Sequence, residues 1–165
     1  MREPPVLIRD DPDRERHQGN AVQLPAFQAG VAAGADAVMV TAMYAPSLGA
    51  SSVPAMFSPS VVSRLRTQLG FSGVVMSDSL SMGGIGARWP LPQAAVLALA
   101  AGNDMLLLGN ADPSYEVEAI AAVRAAVLAG RLDRVRLHES ATRVNALRDR
   151  WGRRFTACRP PRTPV

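Results

Sequence analysis

Residues Gly73 to Met82, G-V-V-M-S-D-S-L-S-M, hold a short apolar run, Val74-Val75-Met76, behind two glycines, Gly70 and Gly73. A run of this length bounded by turn residues reads as a fully buried strand of a parallel sheet rather than a half-exposed one. The strand is expected to stop at Ser77 and Asp78. An acidic side chain at the carboxyl end of a buried parallel strand stands where open α/β sheets and barrels keep their binding and catalytic groups. Asp78 is therefore a candidate functional residue, and capping of the next turn through its own backbone is the alternative reading.

The flanking sequence repeats the same unit. Upstream, Leu24, Phe27 and Val31 recur at helical spacing before Gly34, and the strand Ala37 to Val40 follows. Ser58 as N-cap and Pro59 at the first helical position open a second helix, with Val61, Val62, Leu65 and Leu69 as its buried stripe and Gly70 closing it. Downstream, Pro90 and Pro92 precede a helix through Val96 and Leu99 that Gly102 stops, and a third strand spans Met105 to Leu108. Asp112 and Pro113 begin a helix carrying Val117, Ile120, Ala121, Val127 and Leu128. Asp133 caps the last helix, with Val135, Ala141, Val144, Leu147 and Trp151 expected inward and Gly152 as its end. Ala33-Gly34-Ala35-Asp36 returns as Ala101-Gly102-Asn103-Asp104, 68 positions on, which is the length of two βα units. The chain is an α/β array whose three strands are expected to pair in parallel through helical crossovers. Asp36 and Asp104 enter their strands at the amino end, where a structural role is expected.

Composition bounds the function. A length of 165 residues, 48% of them apolar, suffices for one core but falls short of the roughly 250 residues of a complete (β/α)8 barrel. The net charge is +4 and every basic residue is arginine, ten of the 18 lying at or beyond Arg131. Aromatic residues make up only 5% and lysine is absent, so a nucleic-acid partner is not expected, and the arginine and alanine richness reads as a coding bias. The one cysteine, Cys158, can form no internal disulfide. No apolar run reaches membrane-span length, and Met1 to Asn20 shows neither a signal pattern nor a cleavage site. That implies a cytoplasmic address for the chain as it stands, and a secreted one if an amino-terminal signal has been lost. Residues 1–20, rich in charge and proline, are expected to be disordered or a loop remnant, 21–152 to form the folded unit, and 153–165 to be a disordered tail. His17 and His138 lie among charged residues and read as solvated side chains. Tyr44, Ser47 and Ser79 follow strand ends, where they could touch a ligand, although loop polar residues without ligand contact are the commoner case.

Several of these motifs, in this order, resemble glycoside hydrolase family 3, above all its β-N-acetylhexosaminidase branch. Ser77-Asp78-Ser79-Leu80-Ser81-Met82 is similar to the family's nucleophile segment. Leu24-Pro25-Ala26-Phe27, Ala33 to Val40, Val53-Pro54-Ala55 with Ser58-Pro59, Leu69 to Gly73, and Ala101 to Leu107 resemble family motifs on either side. The resemblance covers roughly Leu24 to Gly152. It implies a partial TIM (β/α)8 barrel, about the last three βα units, and a retaining glycosidase acting on β-linked N-acetylglucosamine or related sugars without metal or organic cofactor. Asp78 would be its nucleophile, with Tyr44 and Met82 as weaker substrate-binding candidates. The branch takes its proton donor from a histidine–aspartate pair near a Lys-His-Phe-Pro-Gly-His-Gly motif that this chain lacks, and Thr41-Ala42-Met43 stands where the family often has a histidine. A truncated form with little activity alone is expected, the missing amino-terminal half of the barrel being a candidate partner. The alternative is an inactive saccharide- or protein-binding module derived from the barrel.

Overall fold

A computed structural model describes residues 24–109 and 112–155; the expectations placed on 1–20, His17, Cys158 and 156–165 fall outside them. Three strands, β1 (Ala37–Val40), β2 (Val74–Ser79) and β3 (Met105–Leu107), form one sheet in the order β1-β2-β3. Both pairings are parallel, with Val38 opposite Val75, Val40 opposite Ser77, and Met76 opposite Met105. The sequence expectation of a parallel βα array is met.

The central strand is sealed. Val74 and Val75 are at most 1% exposed, as a strand flanked by two others and covered by helices requires. β2 does not stop at Ser77 but continues to Ser79, because its polar end is satisfied inside the sheet. Ser77 is fully buried and its Oγ accepts the Leu107 N–H at 3.2 Å, while the Leu80 N–H donates to the Leu107 carbonyl at 2.8 Å. β3 ends one residue earlier than expected, at Leu107.

Helices α1 (Leu24–Ala32), α2 (Pro59–Thr67), α3 (Gly83–Gly86), α4 (Leu91–Ala101), α5 (Ser114–Leu128) and α6 (Arg134–Phe155) connect and cover the strands. α3 is a short turn inside what the sequence suggested was a plain loop. α4 carries the main packing face, burying Ala94, Ala95, Ala98, Leu99 and Ala101, whose small side chains let the helix lie close to the sheet. The core joins these alanines to Val40, Met56, Phe57, Val62, Phe71, Val75, Leu80, Ile85 and Trp89. A second, smaller cluster of Leu99, Ala126 and Leu132 fastens α5 to α4.

Four expectations are corrected. Ser58 stands at the N-cap of α2, but its hydroxyl bonds the Gly49 carbonyl at 3.2 Å and the Ser60 hydroxyl at 2.8 Å instead of an N–H of the helix. On α1 the Leu24, Phe27, Val31 face buries none of its residues, and Phe27 is exposed. On α5 the buried residues are Ala119 and Ala126, and Val127 packs partly inward as expected, whereas Val117, Ile120 and Leu128 face outward. α6 continues past Gly152 to Phe155, and Val135 and Ala141 lie on its exposed side, whereas Trp151, 39% exposed, turns its indole N–H to Asp36. Its inward side carries Arg136, Ser140 and Arg143 around Asp104.

Asp104 organises the amino end of the sheet. Its side chain is fully buried and accepts from Arg66 at 2.5 Å, from Arg136 and Arg143 at 3.1 Å each, from the Ser140 hydroxyl at 2.9 Å and from the Val75 N–H at 2.9 Å. A buried carboxylate is tolerated because every lone pair is met by a donor, three of them cationic. Burial lowers the pKa of the Arg66 guanidinium and Asp104 raises it, while Arg143 and Arg136 lower it further. Some of the arginines credited to coding bias thus hold the fold.

Candidate functional site

The carboxyl ends of the three strands converge on Asp78. It sits on β2, between β1 and β3, partly exposed. Its position follows from the apolar run before it: Val74 and Val75 fix the register of β2, and the acid comes three and four residues later at the open end. Two backbone N–H groups hold the carboxylate in place. Oδ1 accepts from Ser79 at 2.7 Å, and Oδ2 accepts from Ala42, in the loop after β1, at 3.2 Å. Each oxygen keeps a second lone pair for other partners. The turn-capping alternative is thereby realised in part, through the Ser79 N–H, without removing the side chain from the mouth.

Close packing fixes the surroundings. Gly109, just past β3, adopts φ +61°, and a side chain there would collide with the Ser79 hydroxyl. Ser79 and Ser81 share a hydrogen bond of 3.0 Å beside it. Glycine at 109 thus lets β3 approach the segment that carries the acid.

The other candidates separate into two groups. Tyr44 and Met82 lie on the same end of the sheet, exposed by 46% and 45%. Tyr44 follows β1 and its hydroxyl accepts from Arg88 at 3.2 Å. Ser47 lies in a short 3-10 turn, Pro46–Leu48, and Ser79 faces Gly109 and Ser81. Asp36 and Asp104 are at the opposite end, bonded to α6 and α2. His138 is exposed on α6. Two participants went unnoticed in the sequence: the Ala42 N–H, because backbone donors carry no residue signature, and Arg88, because an isolated arginine in a loop has none either.

Among the described residues no group of three or more His, Cys, Asp and Glu side chains could hold a metal ion, and no helix is long and apolar enough to cross a membrane. The arrangement suits direct chemistry by a carboxylate at the mouth of a parallel α/β barrel, of which the three strands form a portion.

Comparison with known proteins places this architecture. The family model of the glycosyl hydrolase family 3 N terminal domain matches residues 10–147, and the chain belongs to that family. It is 30% identical to a glycoside hydrolase family 3 β-N-acetylglucosaminidase from Paenibacillus sp. str. FPU-7, over 91% of this chain and 28% of that one, with a TM-score of 0.78. A β-N-acetylhexosaminidase from Beutenbergia cavernae is 39% identical over 74% of this chain and 36% of its own, with a TM-score of 0.68. A β-hexosaminidase of Stenotrophomonas maltophilia is 39% identical over 105 residues, which are 63% of this chain and 30% of that protein. The chain thus spans about a quarter to a third of the length of the relatives it matches.

Proposed function

We propose that the chain supplies the nucleophile-bearing part of a retaining glycoside hydrolase that cleaves β-linked N-acetylglucosamine or related sugars. One observation carries the reading: Asp78 stands at the carboxyl end of the central strand with its carboxylate held by two backbone N–H groups and open to the mouth. Family membership and the names of the relatives support the sugar class.

In this reading an oxygen of Asp78 attacks the anomeric carbon, the bond to the leaving oxygen breaks, and a glycosyl ester forms. A proton donor gives its proton to the departing oxygen; water, deprotonated by the same group, then attacks the ester and restores the carboxylate. The backbone donors at Ala42 and Ser79 fix the plane of the carboxylate, so that less motion is lost on reaching the attack geometry. The proton donor and the remaining strands would come from a second piece carrying the rest of such a barrel. The exposed edge of β1 and the uncovered Phe27 and Met39 suit that piece.

The test compares the chain alone, Asp78→Ala, and the chain mixed with the amino-terminal barrel half of a relative, on an activated aryl β-N-acetylglucosaminide. Such a leaving group needs little protonation, so residual turnover appears with it first. Addition of the second piece should raise the rate by about 10²-fold or more, the usual worth of an acid–base group. A glycosyl adduct on the peptide containing Asp78 should appear by mass spectrometry and be absent from the variant. Substantial turnover by Asp78→Ala would overturn the assignment. An assembled but inert mixture would favour the binding module.

A further inference from the structure

The end of α5 and the start of α6 frame a concavity that the glycosidase reading leaves unused. The turn between the two helices is tightly fixed. Gly130 adopts φ +68°, the Arg131 N–H donates to the Ala126 carbonyl at 2.8 Å, and Leu132 is buried in the small cluster with Leu99 and Ala126. The concavity holds about 430 Å³ and is lined by Arg124, Val127 and Leu128 from α5 and by Arg134 from α6. That volume falls in the range of small-molecule sites. Arg136, two residues beyond Arg134, bonds Asp104 at the amino end of the sheet, so the concavity lies at the end remote from Asp78.

Its lining pairs two cations with two aliphatic side chains. Arg124 and Arg134 are exposed, and neither forms an ion pair with a carboxylate among the described residues. The adjoining acid, Asp133, accepts the Val135 N–H at 2.9 Å and so caps α6 rather than pairing with Arg134. Leu128 is 80% exposed, an apolar surface that a ligand would take out of water. A purely apolar ligand would leave both guanidiniums unused, and a small hydrated anion would leave Val127 and Leu128 uncovered. A ligand with an anionic head on an aliphatic body satisfies both. We propose that this concavity binds small amphiphilic monoanions, the head held by Arg124 and Arg134 and the aliphatic body laid on Val127 and Leu128. The site is separate from the sugar site and stands independently of the glycosidase reading.

Three probes separate head from body: octanoate, the neutral octan-1-ol, and acetate, each titrated against the full chain by NMR. Two charge-assisted contacts at exposed positions are together worth about ten-fold in affinity. Burial of three methylenes, about four-fold each, is worth about 60-fold. Octanoate should therefore bind about ten-fold tighter than octanol and about 60-fold tighter than acetate, with the largest amide shifts at the end of α5 and the start of α6. The preference over octanol should shrink in high salt. Arg124→Gln with Arg134→Gln should bring octanoate down to the affinity of octanol, and Leu128→Ser should weaken both while leaving acetate unchanged. Should the double variant not fold, the single variants decide, each expected to lose about three-fold of the preference. Equal binding of octanoate and octanol, equal binding of octanoate and acetate, or a preference that survives loss of the arginines overturns the proposal. Shifts centred elsewhere on the chain, or no binding of octanoate, overturn it as well.

Discussion

Two aspartates on this sheet show how position sets the work of one residue type. Among the described residues Asp78 meets only backbone donors and is partly exposed, whereas the side chain of Asp104 is wholly enclosed by three arginines, a serine and a backbone N–H. Removing a buried charge partner leaves cations uncompensated, which costs more than the pair contributes. Asp104→Ala should therefore lower stability by about 2–3 kcal/mol, discounted because the arginines are partly solvated. A urea melt followed by circular dichroism reads the shift, and a variant as stable as the parent would contradict the role given to this carboxylate. Asp78→Ala leaves no buried cation behind and releases only two backbone N–H groups at the open end of the sheet, so it should cost less, about 0.5–1.5 kcal/mol.

At the level of strands and helices, tight approaches are the sensitive points. A Cβ on Gly73, at the entry to β2, would stand 2.5 Å from the Asp36 carbonyl and 2.6 Å from the Phe71 ring. Gly73→Ala forces the strand entry or the ring to shift and should cost about 1–3 kcal/mol, measured in the same melt. The start of α5 gives a pH signature. Hydrogen bonds from Ser114 hold the Asp112 carboxyl below its ordinary pKa. A lowered folded-state pKa means that the contribution is complete above the unfolded carboxylate value and disappears as pH falls through the folded one. Exchange of amides in the first turn of α5 should accordingly quicken below about pH 4. Asp112→Asn keeps an acceptor without a charge, and should remove that pH dependence.

These elements also mark what could be read from sequence. The strands and the place of Asp78 were legible because buried parallel strands are short continuous apolar runs ending at polar residues. The inward faces of α5 and α6 were not. Counting apolar residues selected Val117, Ile120 and Val135, yet α5 packs through alanines and α6 turns Arg136, Ser140 and Arg143 inward to serve one carboxylate. Spacings of four and three gave the periodicity, but arginine is normally scored as a solvent-facing residue. For the mouth, Asp78 was recognisable by its strand, while Ala42 and Arg88 depend on where loops fold back.

For the molecule as a whole, the sheet is open on the outer side of β1. Met39 is half exposed there, beside a row of backbone groups with no neighbouring strand among the described residues. Such an edge pairs with other chains. Met39→Lys should reduce self-association of the isolated chain in sedimentation velocity while leaving the melting midpoint nearly unchanged. Equal association by the variant would place the sticky surface elsewhere.

The amino end of β1 is fastened from far along the chain: Asp36 accepts from Arg150 and from the Trp151 indole N–H, 114 and 115 residues downstream. At about 5–20 residues per second, a ribosome needs roughly 6–23 s to make that stretch. For that interval the first strand exists without the residues that latch it, and its sequence neighbours are already out of the tunnel. The amino end of β1 is thus open to capture and misassembly until α6 has been made.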